Sequence, residues 1–411
     1  MVERPPHYGD RIAVDQQEGG GSPTVIYPGN GVAVSVLVIA ALFVLTQLYA
    51  AIPLLGPVGI SMEADATFAL STCFSVTYAV GFLIWGPISD RYGRKKVMTA
   101  SIGVLAVVTL LCSGASSLPI LAGLRALQGA AASGFAPVAL AYLTEAVAPR
   151  WRARAIGAMS AAFLVAGIFG QVLASTIALR ASWSWFFVVC GVVLAMIFTI
   201  ILFSVVEVPN HTPSMTLLQQ FGNLVGLLFR PEIVLLGIAH ITLLLSFVAL
   251  YTGIGYHLED LHVAASNIIL IRLAALPAMF ISLGVGALAK RIGAIRVAQV
   301  GFGIAAVGML GEAFTDQTIF DVVASSIIYV SGVALSIPSM IMLYGETAAP
   351  HRGSGMAING FVLFVGASIG ALVGKAISGF GTLTLTLVAL LGLAAISLLT
   401  LGAIQRKDSS S

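Results

Sequence analysis

Two uncharged runs, Thr67 to Ile88 and Val97 to Leu118, flank a short charged turn, and the whole stretch across it reads Gly86-Pro87-Ile88-Ser89-Asp90-Arg91-Tyr92-Gly93-Arg94-Lys95-Lys96. Each run is long enough to cross a bilayer as one helix, which takes about 20 apolar residues. Four positive charges between two such runs cannot be hidden in hydrocarbon. Because basic residues concentrate on cytoplasmic loops, the turn is predicted to face the cytoplasm, and its orientation sets that of every other span. Composition agrees: 58% of residues are apolar and 9% charged, where a soluble domain carries about a quarter charged. The net charge of +3 comes from loop residues and implies no nucleic-acid partner. Cys73, Cys112 and Cys190 fall inside apolar runs and read as small buried residues, not as a disulfide framework.

Residues 1–30 are polar, with Pro5-Pro6 and Gly19-Gly20-Gly21, and read as a disordered cytoplasmic tail. The first span is expected from about Gly31 to Ile52, followed by an outer turn with Pro53, Pro57, Glu63 and Asp65, both acids solvated. The third is Val97 to Leu118, the fourth Pro119 to about Leu143, the fifth Ala155 to Leu179 and the sixth Trp183 to Val206. Leu217, Leu218, Phe221, Leu224, Leu227 and Leu228 then mark a surface helix inside a connector over 207–230. Six further runs follow: Ile233 to Tyr256, Val263 to Ala289, Val297 to Phe314, Ile319 to Leu343, Gly355 to Ser378 and Gly381 to Ile404. The reading is an all-α integral membrane protein of twelve helices: a tail over 1–30, a six-helix bundle over 31–206, a linker over 207–230, a second bundle over 231–404 and a tail over 405–411. Of the 20 Lys and Arg, all but Arg125, Arg180, Arg272 and Lys375 lie in segments assigned to the cytoplasm, which puts both termini there.

The two halves repeat each other. Gly86, Arg91 and Gly93 recur as Gly286, Arg291 and Gly293; Pro137 as Pro338; Glu145 and Pro149 as Glu346 and Pro350. Ala166, Gly170 and Ala174 are answered by Gly366, Gly370 and Gly374. Such a period over six spans is what two bundles related by an axis along the membrane normal leave in a sequence.

The turn over 86–96 resembles the G-x-x-x-D-R-x-G-R-K signature of the major facilitator superfamily, with Gly86, Asp90, Arg91, Gly93, Arg94 and Lys95 matching, and the likeness extends over 31–404. Leu124-Arg125-Ala126-Leu127-Gln128-Gly129 is similar to the R-x-x-Q-G signature of that superfamily's proton-coupled drug exporters. The exporters' fifth-span proline is missing here, where the chain reads Ala166-Gly167-Ile168-Phe169-Gly170-Gln171. The resemblance implies the major facilitator fold, alternating access about a midplane site, a bacterial inner membrane, a small-molecule substrate, a surrounding of lipid and a monomer. It needs no cofactor; a proton gradient is the implied driving force.

Polar residues at membrane depth are the site candidates. Arg125 lies about 9 Å inside its helix at 1.5 Å per residue, and either meets an anion, water or carbonyls or snorkels to the surface. Arg272, about 12 Å in, is too deep to snorkel easily. By the resemblance, Gln47, Gln128 and His240 are cavity residues; Asn359 joins them as a polar residue at depth. His240 either accepts a proton or stays a neutral hydrogen-bonding residue. Gly86, Asp90, Arg91, Gly93, Arg94 and Glu145 are the gating candidates, their ion pairs holding one state closed. No carboxylate is expected at mid-membrane, which favours a neutral or anionic substrate over a cation. Proton-driven efflux of small organic compounds is the first reading, and uptake or exchange of a metabolite, with an anion among the candidates, the second. A membrane enzyme is remote, since no nucleophile with a paired base and no metal-spaced cluster is present.

Overall fold

A computed structural model describes residues 13–15, 24–26, 30–207, 217–260, 273–314, 318–349 and 352–408. Among them, 11 helices are long and apolar enough to cross a membrane. Span one is Asn30–Tyr49, span two runs from a π-helical turn, Phe68–Thr72, into Cys73–Tyr92, and span three is Arg94–Cys112. Span four comprises Leu118–Ala132 and Ala136–Ala146; spans five and six are Pro149–Arg180 and Ser184–Ser204. The amphipathic linker helix is Leu217–Leu228. Spans seven, nine, ten, eleven and twelve are Pro231–Asp260, Ala294–Phe314, Ile319–Thr347, Arg352–Ala376 and Phe380–Asp408. Span eight is described only from residue 273 on, as three short pieces: Leu276–Met279, a 3-10 turn Phe280–Gly284 and Val285–Ile292.

Four details depart from the sequence reading. The expected outer turn after span one is itself a helix, Ala51–Met62, because Pro53 sits in its first turn, where no backbone donor is needed, and only Pro57 lies inside. Span four is not continuous: at Ser133–Phe135 the hydrogen bonds tighten, Gly134 N–H reaching Ala131 O at 3.1 Å and Phe135 N–H reaching Ala132 O at 3.1 Å. The carbonyl of Ala130, freed by this, accepts the Trp85 indole N–H at 2.8 Å. Asp65 is exposed, as expected, but has a partner in the second half, described below. The N-terminal tail, most of which lies outside the described residues, contains two three-residue antiparallel strands, Ala13–Asp15 and Thr24–Ile26.

The repeat is visible in the packing. Span one lies on span five as span seven lies on span eleven, and span three on span six as span nine on span twelve. Across the halves, span two meets span eleven while span five meets span eight. Small residues make the matching contacts: a Cβ on Gly170 would meet the backbone of Thr46 at 3.1 Å, and one on Gly366 would meet the Ile241 carbonyl at 2.2 Å. Backbones can approach this closely only where side chains are absent. Gly93 (φ 103°) and Gly293 (φ 87°) end spans two and eight in the positive-φ region that other residues avoid, so the repeated glycine is a repeated turn. We call the end of the bundle that carries these turns the basic end and the opposite one the far end.

Candidate transport pathway and gates

Arg125 is fully buried in span four, 1% exposed. Its Nε donates to the Leu70 carbonyl at 2.8 Å, Nη2 to the Gln47 carbonyl at 2.9 Å and Nη1 to Gln128 Oε1 at 2.5 Å, while the guanidinium lies 4.3 Å from the Phe74 ring centroid. Both acceptor carbonyls sit at irregular backbone: Leu70 in the π-helical turn of span two, Gln47 just before the break at Ala50. Gln128 Nε2 in turn donates to Gln47 Oε1 at 3.1 Å and to Thr109 Oγ1 at 2.7 Å. Spans one to four are thereby tied together by one cation that carbonyls and amides satisfy, with no carboxylate among its partners. Of the two sequence alternatives, snorkelling is ruled out. Gln47 and Gln128 belong to this network within the first half.

His240 and Asn359 also meet, at 3.0 Å between Nε2 and Nδ2, joining spans seven and eleven. The direction of this bond is set by the imidazole tautomer. Among the described residues, Nδ1 and the nearby Tyr344 hydroxyl lack hydrogen-bond partners, and the two rings lie 5.6 Å apart. Asn359 additionally lines a cavity of about 50 Å³ between the halves, walled by Tyr49, Phe82, Phe163, Phe247 and Phe364. Edge-to-face pairs close around it, Tyr78 with Phe364 at 4.4 Å and Tyr49 with Phe247 at 6.0 Å. Arg272 lies outside the described residues.

At the basic end a second, larger cavity of about 520 Å³ separates the halves, with Gly86, Asp90, Arg94 and Glu145 on one wall and Ile341, Gly345, Glu346 and Met356 on the other. Arg94 donates to Glu145 through Nη2 at 2.7 Å and Nε at 3.2 Å, bonds Ser89 Oγ at 2.8 Å, and pairs with Asp90. The expected ion pairs therefore form, but inside the first half, joining spans two, three and four on one wall of an open vestibule. Arg91 is outside this network; its guanidinium lies 5.7 Å from the Tyr92 ring. The positive-φ turn at Gly93 exposes the N–H groups of Lys95 and Lys96, which Glu207 at the end of span six accepts at 3.0 and 3.2 Å. A carboxylate on the first turn of a helix is favourable there. From sequence alone Glu207 is only the start of a polar connector.

At the far end the halves are joined. Lys375 Nζ of span eleven reaches Asp65 Oδ2, ahead of span two, at 2.5 Å, and Thr67 donates to Asp65 Oδ1 from Oγ1 at 2.6 Å and from its N–H at 3.0 Å. The Lys375 bond first, then the two from Thr67, hold the Asp65 carboxyl down at about 2. Asp65 is solvent-exposed, as expected, and gains a partner that the sequence reading does not assign; opposite charges at the far ends of spans two and eleven are the available signal. Glu312 was also passed over; it is buried in span nine, two residues before that helix ends.

Helices of membrane-spanning length in two matching halves, with cavities between them, fit a multi-pass membrane transporter. The chain belongs to the Major Facilitator Superfamily, whose profile matches residues 34–371. An uncharacterized transporter of Buchnera aphidicola subsp. Schizaphis graminum is 26% identical over 308 residues, 74% of each chain. YwfA of Bacillus subtilis, an uncharacterized MFS-type transporter, is 23% identical over 340 residues, 80% of this chain and 81% of its own. The inner membrane transport protein YnfM of Escherichia coli is 27% identical over 242 residues, 56% of each. Among solved structures, the human organic anion transporter MFSD10 (TETRAN) superposes with a TM-score of 0.70, covering 90% of this chain and 100% of that one at 16% identity, a likeness of fold.

Proposed function

We propose that the protein is a secondary active transporter that exports small, largely apolar organic compounds in exchange for protons, by alternating access. The observation that carries this is the aromatic and aliphatic lining of the cavity between the halves, where Asn359 and Tyr49 supply the polar groups. Such a wall suits amphipathic compounds and offers little to a sugar or a free ion. In this reading the conformer has its vestibule open to the cytoplasm, Asp65 with Lys375 closes the opposite side, and Asp90, Arg94 and Glu145 shape the first half's cytoplasmic wall. His240 with Asn359 forms the polar corner of the substrate route. The Escherichia coli relative is named for the inner membrane, and we extend that location here, with cytoplasmic termini, a monomeric working unit and no cofactor beyond the proton gradient.

Acid-loaded inside-out membrane vesicles with a pH-sensitive dye test the reading. A panel of lipophilic drugs, sugars and organic anions is added, with Arg125→Ala as control. Proton leakage on adding a lipophilic compound, absent in the variant, is the expected result. If no compound moves protons while labelled metabolites exchange, the protein is instead a metabolite carrier.

A further inference from the structure

Span nine presents one continuous buried face, Gly301, Ala305, Gly308, Met309 and Glu312. Four of these are small or apolar and explain themselves by packing against span ten: a Cβ on Gly308 would meet the Tyr329 backbone nitrogen at 2.3 Å, and one on the neighbouring Gly311 would meet Ser325 Oγ at 2.4 Å. Glu312 does not. It is 1% exposed, and neither Oε1 nor Oε2 has a hydrogen-bond partner among the described residues. Burying an ionised carboxylate without a partner costs far more than a helix contact returns, whereas the neutral acid fits. Packing as seen therefore requires the proton to be present.

The elements packed on span nine are spans ten, twelve and the described part of span eight. Toward the far end, the titratable groups they carry among the described residues are Asp321, which accepts from Thr318 at 2.7 Å, and Tyr329, whose hydroxyl meets Ser246 at 2.8 Å. Neither is a cation that could hold Glu312 ionised. Span ten couples this seam to the substrate route. Its residues Ser325 and Tyr329 face span nine, while Val333, Ile337 and Ile341 line cavity walls. Pro338 lies inside the same helix, where the missing donor makes a bend cheap.

We infer that Glu312 is a proton-binding site of the transport cycle, neutral while spans nine and ten are packed together and ionised when the far half of span ten swings off span nine. One proton binds or leaves one carboxylate, and span ten carries the consequence to the cavity. The role in transport rests on the proposed proton coupling; the titration itself does not.

Both claims can be tested on the full chain in lipid without a substrate. Infrared difference spectra between acid and alkaline pH should show a carboxylic carbonyl band that Glu312→Gln removes and Glu312→Asp shifts. A band unchanged in Glu312→Gln, or one that ignores pH, overturns the site. With the three native cysteines replaced by alanine, Ser325→Cys should react with a water-soluble thiol reagent at least fivefold faster at alkaline pH, beyond the rise seen when Glu312→Gln is added. Equal pH dependence in the two backgrounds overturns the coupling to span ten. In the vesicle assay, Glu312→Gln should lose proton movement while compound exchange persists; retained proton movement overturns the transport role. A wild-type protein that moves no protons with any compound overturns the export reading instead, leaving the infrared result to decide the site.

Discussion

Lys375 and Asp65, 310 residues apart in the chain, meet at 2.5 Å and join the two halves at the far end, while the opposite end stands open. Both side chains are well exposed, 45% and 61%. A pair of this kind contributes about 0.2–1 kcal/mol, enough to shift a balanced equilibrium up to about fivefold. Asp65→Asn or Lys375→Gln should raise the labelling of a cysteine placed at the far-end mouth by up to about that factor, and the exchanged pair Asp65→Lys with Lys375→Asp should restore it. Labelling unaltered in all three would remove the latch.

The same pair sets a pH expectation. The Asp65 carboxyl sits at about 2 against an ordinary 3.8, a depressed value, so its contribution is present above about pH 4 and lost as pH falls through about 2. The contribution of this pair to far-end labelling should thus stay constant between neutral and mildly acidic pH. A difference between wild type and Asp65→Asn that vanishes near pH 6 would contradict the assignment.

Asp90→Asn should leave the protein folded and inserted, since Arg94 keeps its two bonds to Glu145, yet transport should be abolished. Arg94→Ala removes the centre of the network and should also destabilise the first half by roughly 1–3 kcal/mol, discounted for the partial exposure of both acids. Normal flux in Asp90→Asn would end the gating role.

Arg125→Lys should cost about 2–4 kcal/mol, because one ammonium cannot reach the Leu70 and Gln47 carbonyls and Gln128 at once, and buried acceptors left unpaired are expensive. Thermal unfolding in detergent reads the loss. An unchanged midpoint would show that the network contributes little.

Gly129→Ala and Gly123→Ala form a matched pair on one helix. A Cβ at Gly129 would lie 2.3 Å from the Phe74 carbonyl oxygen, whereas Gly123 has nothing within 4 Å. The first should destabilise by about 1–3 kcal/mol through overpacking, the second should be neutral or gain a few tenths from helix propensity. Equal midpoints would mean that spans two and four can separate freely.

The spans, their repeat and the basic turn were legible because hydrophobic length and charge asymmetry are written locally, residue by residue. The linker helix Leu217–Leu228 followed from its apolar spacing in the same way. What Arg125 binds was not legible, since its main acceptors are backbone carbonyls, which every residue has, made available by a π-helical turn and a helix break that composition does not mark. The break in span four is marked only weakly, by Ser133-Gly134 and by Pro137 just after it, inside a run long enough to read as one span. Lys375 and Asp65 were visible as charges, but nothing local links positions so far apart. Glu312 is legible as an acid within the expected span Val297 to Phe314, but its burial is not, since that depends on which face span ten covers.

Arg125 is balanced by dipoles and not by an acid, and an arginine keeps its charge at any physiological pH. The first half therefore carries a permanent, uncompensated positive charge inside the membrane's electric field. Moving one such charge through the full potential costs about 2.3 kcal/mol per 100 mV, and through a fifth of it about 0.5 kcal/mol. Any rocking that displaces span four along the membrane normal makes the resting voltage a partner in choosing which side the transporter faces.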